Sequence, residues 1–276
     1  MVKNFLFVLF FIYLLLLTNI SNAKNIRAAS INLCTDQYLY LIADKNQITS
    51  LSYMSKDKNI SFISDKISDI ILNNGRAEDI IRQKPDIIFY GPGSSISTIN
   101  LLKKLNFNII YIPDAKNIKQ LKEQILVIAK LLNKEQKGSD LINKIDKDIN
   151  QLINYKKKIK NKKIIILSPN GYVKGDDTLI GGILKKFGYH NVINALNINS
   201  YSKVSLEEIL LLNPEVVILE NSYRDSVSLS QEFLIHPVIK HIVQKGQFLN
   251  FNKKLLSCSG PYSTEIIREL IRQKND

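Results

Sequence analysis

The chain has 276 residues, 45% of them hydrophobic, which is enough for one large core or two ordinary ones. Its formal net charge is +13, but the lysines are spread along the chain among Asn and Ile, a pattern of solvated faces rather than of a nucleic-acid surface. Two cysteines make no disulfide scaffold, and no Walker loop, Gly-x-Ser-x-Gly motif or pair of catalytic carboxylates stands out.

At the N-terminus Lys3 is followed by the uncharged apolar run Phe5 to Leu17 and then by the small-residue site Ser21-Asn22-Ala23. That order is the pattern of a secretory signal peptide, and the run falls short of the roughly 20 apolar residues a transmembrane helix needs. Cleavage is expected after Ala23, leaving 253 residues. Lys3 leaves with the leader, so the mature charge is +12.

The mature chain alternates short apolar runs with amphipathic stretches, the signature of βα units and parallel sheets. The runs Ala28 to Leu33, Ile48 to Leu51, Asp86 to Tyr90 and Asn108 to Ile112 are expected as strands of a first half. Lys163 to Leu167, Glu215 to Leu219 and Gln247 to Asn250 are expected as strands of a second. Helical spacing covers Thr35 to Ala43, Ile96 to Leu105, Ile118 to Leu132 and Ser263 to Ile271. From about Lys134 to Ile159 a long polar segment carries one narrow apolar stripe (Leu141, Ile142, Ile145, Ile149, Leu152, Ile153), as expected of a helix lying across two bodies. These patterns place an N-terminal lobe at 24–132, a connecting helix at 133–159 and a C-terminal lobe at 160–276.

An internal repeat flanks that helix. Ala77-Glu78-Asp79-Ile80 through Lys84-Pro85-Asp86-Ile87-Ile88-Phe89 matches Leu206-Glu207-Glu208-Ile209 through Asn213-Pro214-Glu215-Val216-Val217-Ile218 at a constant offset of 129. Each copy reads as a short helix, a Pro-acid stop and a buried strand, because Pro cannot continue the helix. Ser205 and Glu208 also form a capping-box pattern, so Glu208, and Asp79 by the repeat, are assigned to capping.

In these features the chain resembles the periplasmic binding proteins of the vitamin B12, haem and ferric-siderophore importers. The resemblance rests on Ser30-Ile31-Asn32-Leu33-Cys34-Thr35-Asp36, the two Glu-containing repeats, the Asn170-Gly171-Tyr172 to Leu179-Ile180-Gly181 segment and a closing helix opened by Ser257-Cys258-Ser259-Gly260-Pro261. It implies an α/β protein of two Rossmann-like lobes joined by a single long helix. The ligand lies in a cleft between the lobes and brings its own iron or cobalt, with no resident cofactor. It also implies a monomer that partners the permease of an ABC importer rather than an enzyme. In that family one acid on each lobe docks onto basic permease residues, and Glu78 and Glu207 are the matching positions.

For the cleft, loops that leave strand ends supply the candidates. They are Asn32, Cys34, Thr35, Asp36, Tyr53, Tyr90 and Gly91 from the first lobe, and Tyr172, Tyr201, Arg224, Cys258 and Tyr262 from the second. The Lys174-Gly175-Asp176 turn lies beside them. Tyrosines suit a flat conjugated ligand because each has an apolar face and a polar tip. Three readings of Cys34 and Cys258 stay open: a disulfide joining the lobes, a soft axial ligand for a metal, or two inert thiols. His190, His236 and His241 lack metal-ligand spacing and read as structural. The alternative from another class is an exported thiol-dependent redox or metal-transfer protein using both cysteines.

Overall fold

The computed structural model describes residues 25–156, 161–220 and 232–275, without side-chain placement at 152–156, 250 and 273–275. The signal segment, the end of the long helix and Arg224 lie outside these residues.

The first sheet is five parallel strands: β1 (Ala28–Ser30), β2 (Ile48–Ser52), β3 (Leu72–Asn73), β4 (Ile87–Tyr90) and β5 (Ile109–Tyr111), in the order β3-β2-β1-β4-β5. Its helices are α1 (Leu33–Ile42), α2 (Ala77–Gln83), α3 (Ile96–Lys104) and α4 (Ile118–Leu131). The order reverses at β1, the switch point beyond which doubly wound sheets open a crevice. Next comes α5 (Glu135–Lys156), followed by the second sheet.

That sheet contains β6 (Lys163–Ser168), β7 (Tyr172–Lys174), β8 (His190–Asn191), β9 (Tyr201–Lys203), β10 (Val216–Leu219) and β11 (Gln247–Asn250). Its helices are α6 (Leu179–Phe187), α7 (Leu206–Leu212), α8 (Glu232–Ile235), α9 (Pro237–Lys245), α10 (Lys254–Ser257) and α11 (Glu265–Asn275). β6, β10 and β11 are parallel, and the two inner strands β6 and β10 are almost wholly apolar, as strands covered on both faces must be, whereas the edge strand β11 is half polar. The sheet is nevertheless mixed, because β7 runs antiparallel to both β6 and β9. The cause is local: Asn170 (φ 60) and Gly171 (φ 78) reverse the chain directly after Ser168, and two successive positive φ values make a tight hairpin turn. A Cβ on Gly171 would come within 2.8 Å of the Val204 carbonyl, so only glycine fits the turn.

The two repeat copies fold alike down to single hydrogen bonds. α2 and α7 both end on a left-handed residue, Lys84 (φ 47) and Asn213 (φ 45), again 129 apart. After each Pro, the acid's amide donates to the strand alongside while its carboxylate accepts an amide from that same strand. Asp86 exchanges these bonds with Arg27, and Glu215 with Lys163. The Pro-acid signature therefore aligns β4 with β1 and β10 with β6, in two separate sheets.

A single apolar cluster joins the two halves through α5. It runs from Tyr38, Leu39 and Ile42 of α1 through Ile125, Ile128 and Ala129 of α4 and Ile145 of α5 to Ile183, Leu184 and Phe187 of α6 and Ile266, Ile267 and Leu270 of α11. α5 packs on α1 and α4 from the first half and on α6 and α11 from the second. Its buried Asp148 is held by Arg268 at 3.1 Å and by the Thr264 hydroxyl at 3.3 Å. At its start Asp44 pairs with Lys134 and Lys137, and these two ammonium groups hold the Asp44 carboxyl down at about 2.

Candidate functional site between the lobes

The C-terminal edges of the two sheets meet across a cleft floor with three direct links. Cys34 and Cys258 form a disulfide, with Cα atoms 5.3 Å apart and 224 residues between them in sequence. The Ala115 amide donates to the Ser259 carbonyl at 3.3 Å. The rings of Phe62 and Tyr262 stack with centroids 4.7 Å apart. Beside these links Asp114 lies within electrostatic range of Lys174 from the opposite sheet, and both residues lie at the loop that carries Leu256 and Ser259.

Of the three open readings for the cysteines, the structure selects the inter-lobe disulfide. Both cysteine sulfurs are consumed in it, so neither is a free thiol. Tyr262 belongs to the stack on Phe62, where burial pushes its phenol up to about 12.

Four of the strand-end candidates are scaffold. β1 ends at Ser30, three residues earlier than expected, and Asn32 is the N-cap of α1, its Oδ1 accepting the amides of Cys34 (2.9 Å) and Thr35 (3.4 Å). Its Nδ2 donates to the Pro92 carbonyl at 2.8 Å, and a Cβ on Gly91 would strike Asn32 Oδ1 at 2.9 Å. Gly91 is thus a close-approach position for a neighbouring side chain, not for a ligand. Thr35 is buried, donating to the Asn32 carbonyl at 2.9 Å.

Asp36, one turn into α1, faces inward onto β2 and is fully buried. It accepts the Ser52 amide (3.1 Å) and the hydroxyls of Ser52 (2.5 Å) and Ser55 (2.7 Å). Thr35 and Asp36 were expected at the cleft as residues just beyond a strand that was expected to run on to Leu33, where the helix in fact begins. Once the helix starts there, its inner face turns them into the lobe.

Burial pushes the Asp36 carboxyl up to about 7, and its hydrogen bonds pull it down by less. The folded chain then holds this proton more tightly than the unfolded chain, whose carboxyl titrates near 3.8. Stability is therefore expected to fall as pH rises from about 4 to about 7 and to level off above that, a contribution on the order of 4 kcal/mol. Asp36→Asn keeps the acceptor and removes the titration. Urea midpoints at pH 4.5 and 7.5 are expected to lie closer together in the variant than in the wild type, and an unchanged gap would remove Asp36 as the source.

Exposed tyrosines stand at strand ends of both sheets. Tyr53, 58% exposed, follows β2; Tyr90 and the half-exposed Tyr111 end β4 and β5 with rings 5.2 Å apart. Tyr172 on β7 and Tyr201 on β9 are each 49% exposed. The strand-end rule marked four of these; Tyr111 was missed because its strand was expected to run on to Ile112 and ends one residue earlier.

The floor holds charges that the sequence reading did not bring together. Lys174 is buried, its ammonium 3.0 Å from Glu220, 3.0 Å from the Leu256 carbonyl and 5.9 Å from the Tyr201 ring centre. Glu220 also accepts the Ser168 hydroxyl at 2.6 Å. Asp114 sits in a loop that is anchored from behind, since Gln124 donates to the Pro113 carbonyl at 2.9 Å and accepts the Tyr38 hydroxyl at 2.6 Å. Burial raises the Asp114 carboxyl, with Lys174 opposing the shift. Asp114 and Glu220 each follow a strand, so the strand-end rule had the means to find them.

Residues 29–248 match the family model described as periplasmic binding protein. The chain belongs to this family. No curated protein matches its sequence. Among solved structures, a periplasmic binding protein from Veillonella parvula superposes with a TM-score of 0.73 at 16% identity, covering 90% of this chain and 91% of the other. A possible iron-binding periplasmic solute-binding protein from Staphylococcus epidermidis gives 0.72 at 19%, covering 92% and 100%. A periplasmic haem-binding protein from Roseiflexus gives 0.68 at 15%, covering 90% and 97%. This periplasmic binding protein is accordingly a ligand carrier for an ABC importer and not an enzyme, and its two sheets and cleft have the architecture of the class.

Proposed function

We propose that this binding protein captures a small metal chelate, a corrinoid or a ferric siderophore, in the inter-lobe cleft and hands it to its permease. In this reading it is an exported monomer whose leader is removed after Ala23, and the iron or cobalt belongs to the ligand. The observation that carries the reading is the ring of exposed tyrosines, Tyr53, Tyr111, Tyr172 and Tyr201, at the facing edges of two rigid sheets. Flat apolar faces with polar tips grip a conjugated or aromatic chelate while leaving its polar periphery wet. A second reading, haem, is favoured by the haem-binding proteins that share the fold.

The chain contains no tryptophan and 12 tyrosines, so a chelate bound beside the exposed tyrosines is read as partial quenching of tyrosine emission. Titration with cyanocobalamin, haemin and a ferric hydroxamate is expected to give saturable quenching with one of them, and Tyr172→Ala with Tyr201→Ala is expected to weaken that binding at least tenfold. No saturable binding by any of the three would remove the metal-chelate reading.

A further inference from the structure

Of the three ionisable groups on the cleft floor, two satisfy each other. Lys174 and Glu220 form a buried pair with further bonds to the Leu256 carbonyl and the Ser168 hydroxyl. An ion pair removed from water in this way persists because its lone pairs and protons are used. Asp114 is different. It is half-buried, its loop is fixed by the Gln124 and Ser259 bonds, and no hydrogen bond from the described residues reaches its carboxylate. Among the described residues, one ammonium group thus stands near two carboxylates and is paired with only one of them.

A partly desolvated carboxylate without a donor is costly to keep, and this one stands next to the Ala115–Ser259 bond, where loops of the two lobes meet. We infer that Asp114 is a ligand-recognition residue, accepting a hydrogen bond from an ammonium or amide N–H group on the chelate and turning away a chelate that presents a carboxylate edge. The inference rests on the cleft-binding reading above and narrows it. It favours ferric hydroxamates with a free amine, or corrinoids with their ring of side-chain amides, over the two carboxylates of haem.

The test uses the full mature protein and three probes: ferrioxamine B, which carries an ammonium group; cyanocobalamin, which carries amides; and haemin. Wild type is expected to prefer one of the first two over haemin. Asp114→Asn is expected to lose about tenfold in affinity for that preferred probe, since a charge-assisted bond is replaced by a neutral one. Asp114→Lys is expected to gain affinity for haemin. A wild type that prefers haemin, or an Asp114→Asn variant that binds its preferred probe unchanged, would overturn the role of Asp114 while leaving a metal-chelate carrier in place. Binding of none of the three would overturn both. Because no bond from the described residues reaches the Asp114 carboxylate and its partial burial is a cost, Asp114→Asn is expected to keep or raise the wild-type thermal midpoint, which separates a recognition role from a folding one.

Discussion

Replacing Cys34 and Cys258 with serine is expected to lower the unfolding free energy by about 5 kcal/mol, the largest stability change from any two-residue substitution considered for this chain. The bond closes a loop spanning 224 residues of sequence, and the chain entropy it removes from the unfolded state grows with the logarithm of that length. The value is an upper estimate, since residual structure in the unfolded chain reduces it. The bond also acts locally. It stands on the same floor as the Ala115–Ser259 hydrogen bond and the Phe62–Tyr262 stack, so its loss is expected to raise amide exchange in the first turn of α1 and across residues 256–262. The α4–α5 core, which draws on apolar contacts well away from the sulfurs, is expected to keep its protection. Thermal unfolding with and without reductant measures the first effect. Midpoints that coincide would show that the shared core already holds the lobes together without the bond.

The legible parts of the fold were those written locally. β1, β2, β4, β5, β6, β10 and β11 each begin within two residues of their anticipated starts because a strand covered on both faces needs a continuous apolar run, and Pro85 and Pro214 punctuate two of them. The two-to-three-residue strands β3, β7, β8 and β9 have too few residues to show a period. Even so, Asn170-Gly171 is a strong hairpin dipeptide that was taken only as part of a motif. The site was less legible because its meaning depends on direction. Thr35 and Asp36 follow a strand as cleft residues do, yet one turn of α1 points them into the lobe. The pairing of Cys34 with Cys258 depends on two loops meeting across the lobes, and no spacing in the chain records that meeting. Asp114 and Glu220 lay within reach of the strand-end rule but belonged to no repeat or motif that would have singled them out.

Charge reversal at both Glu78 and Glu207 is expected to reduce ligand delivery through the permease at least tenfold while leaving ligand affinity within about twofold. In each repeat two acids open the helix, and the structure gives them different work. Asp79 accepts the Asn74 amide at 3.1 Å and pairs with Arg82, and Glu208 closes a capping box with Ser205 through bonds of 2.7 and 3.2 Å. Glu208 is therefore a capping residue as expected, whereas Asp79 is engaged by Asn74 and Arg82 and not by the N-cap residue Arg76. Glu78 and Glu207 are exposed and make no hydrogen bond or ion pair among the described residues, so the helix dipole is all that holds them in place from within, a contribution of about 0.3–1 kcal/mol each. Two free carboxylates at equivalent corners of two rigid lobes are the features expected to orient the protein on a basic permease surface, through association rate and salt dependence more than through tightness. Their surroundings differ in a way that ranks the single variants. One turn beyond Glu207 stands Leu211, 85% exposed, whereas one turn beyond Glu78 stands Arg82, already engaged by Asp79. Covering Leu211 on docking would dry the Glu207 contact and strengthen its charge pairing, so Glu207→Lys is expected to impair delivery more than Glu78→Lys, and Leu211→Ser to impair it without any change in charge. Glu208→Ala serves as the control, expected to cost about 0.5–2 kcal/mol of stability and little delivery. Uptake measured with the double variant at the wild-type rate would leave these two glutamates with no role beyond the helix dipole.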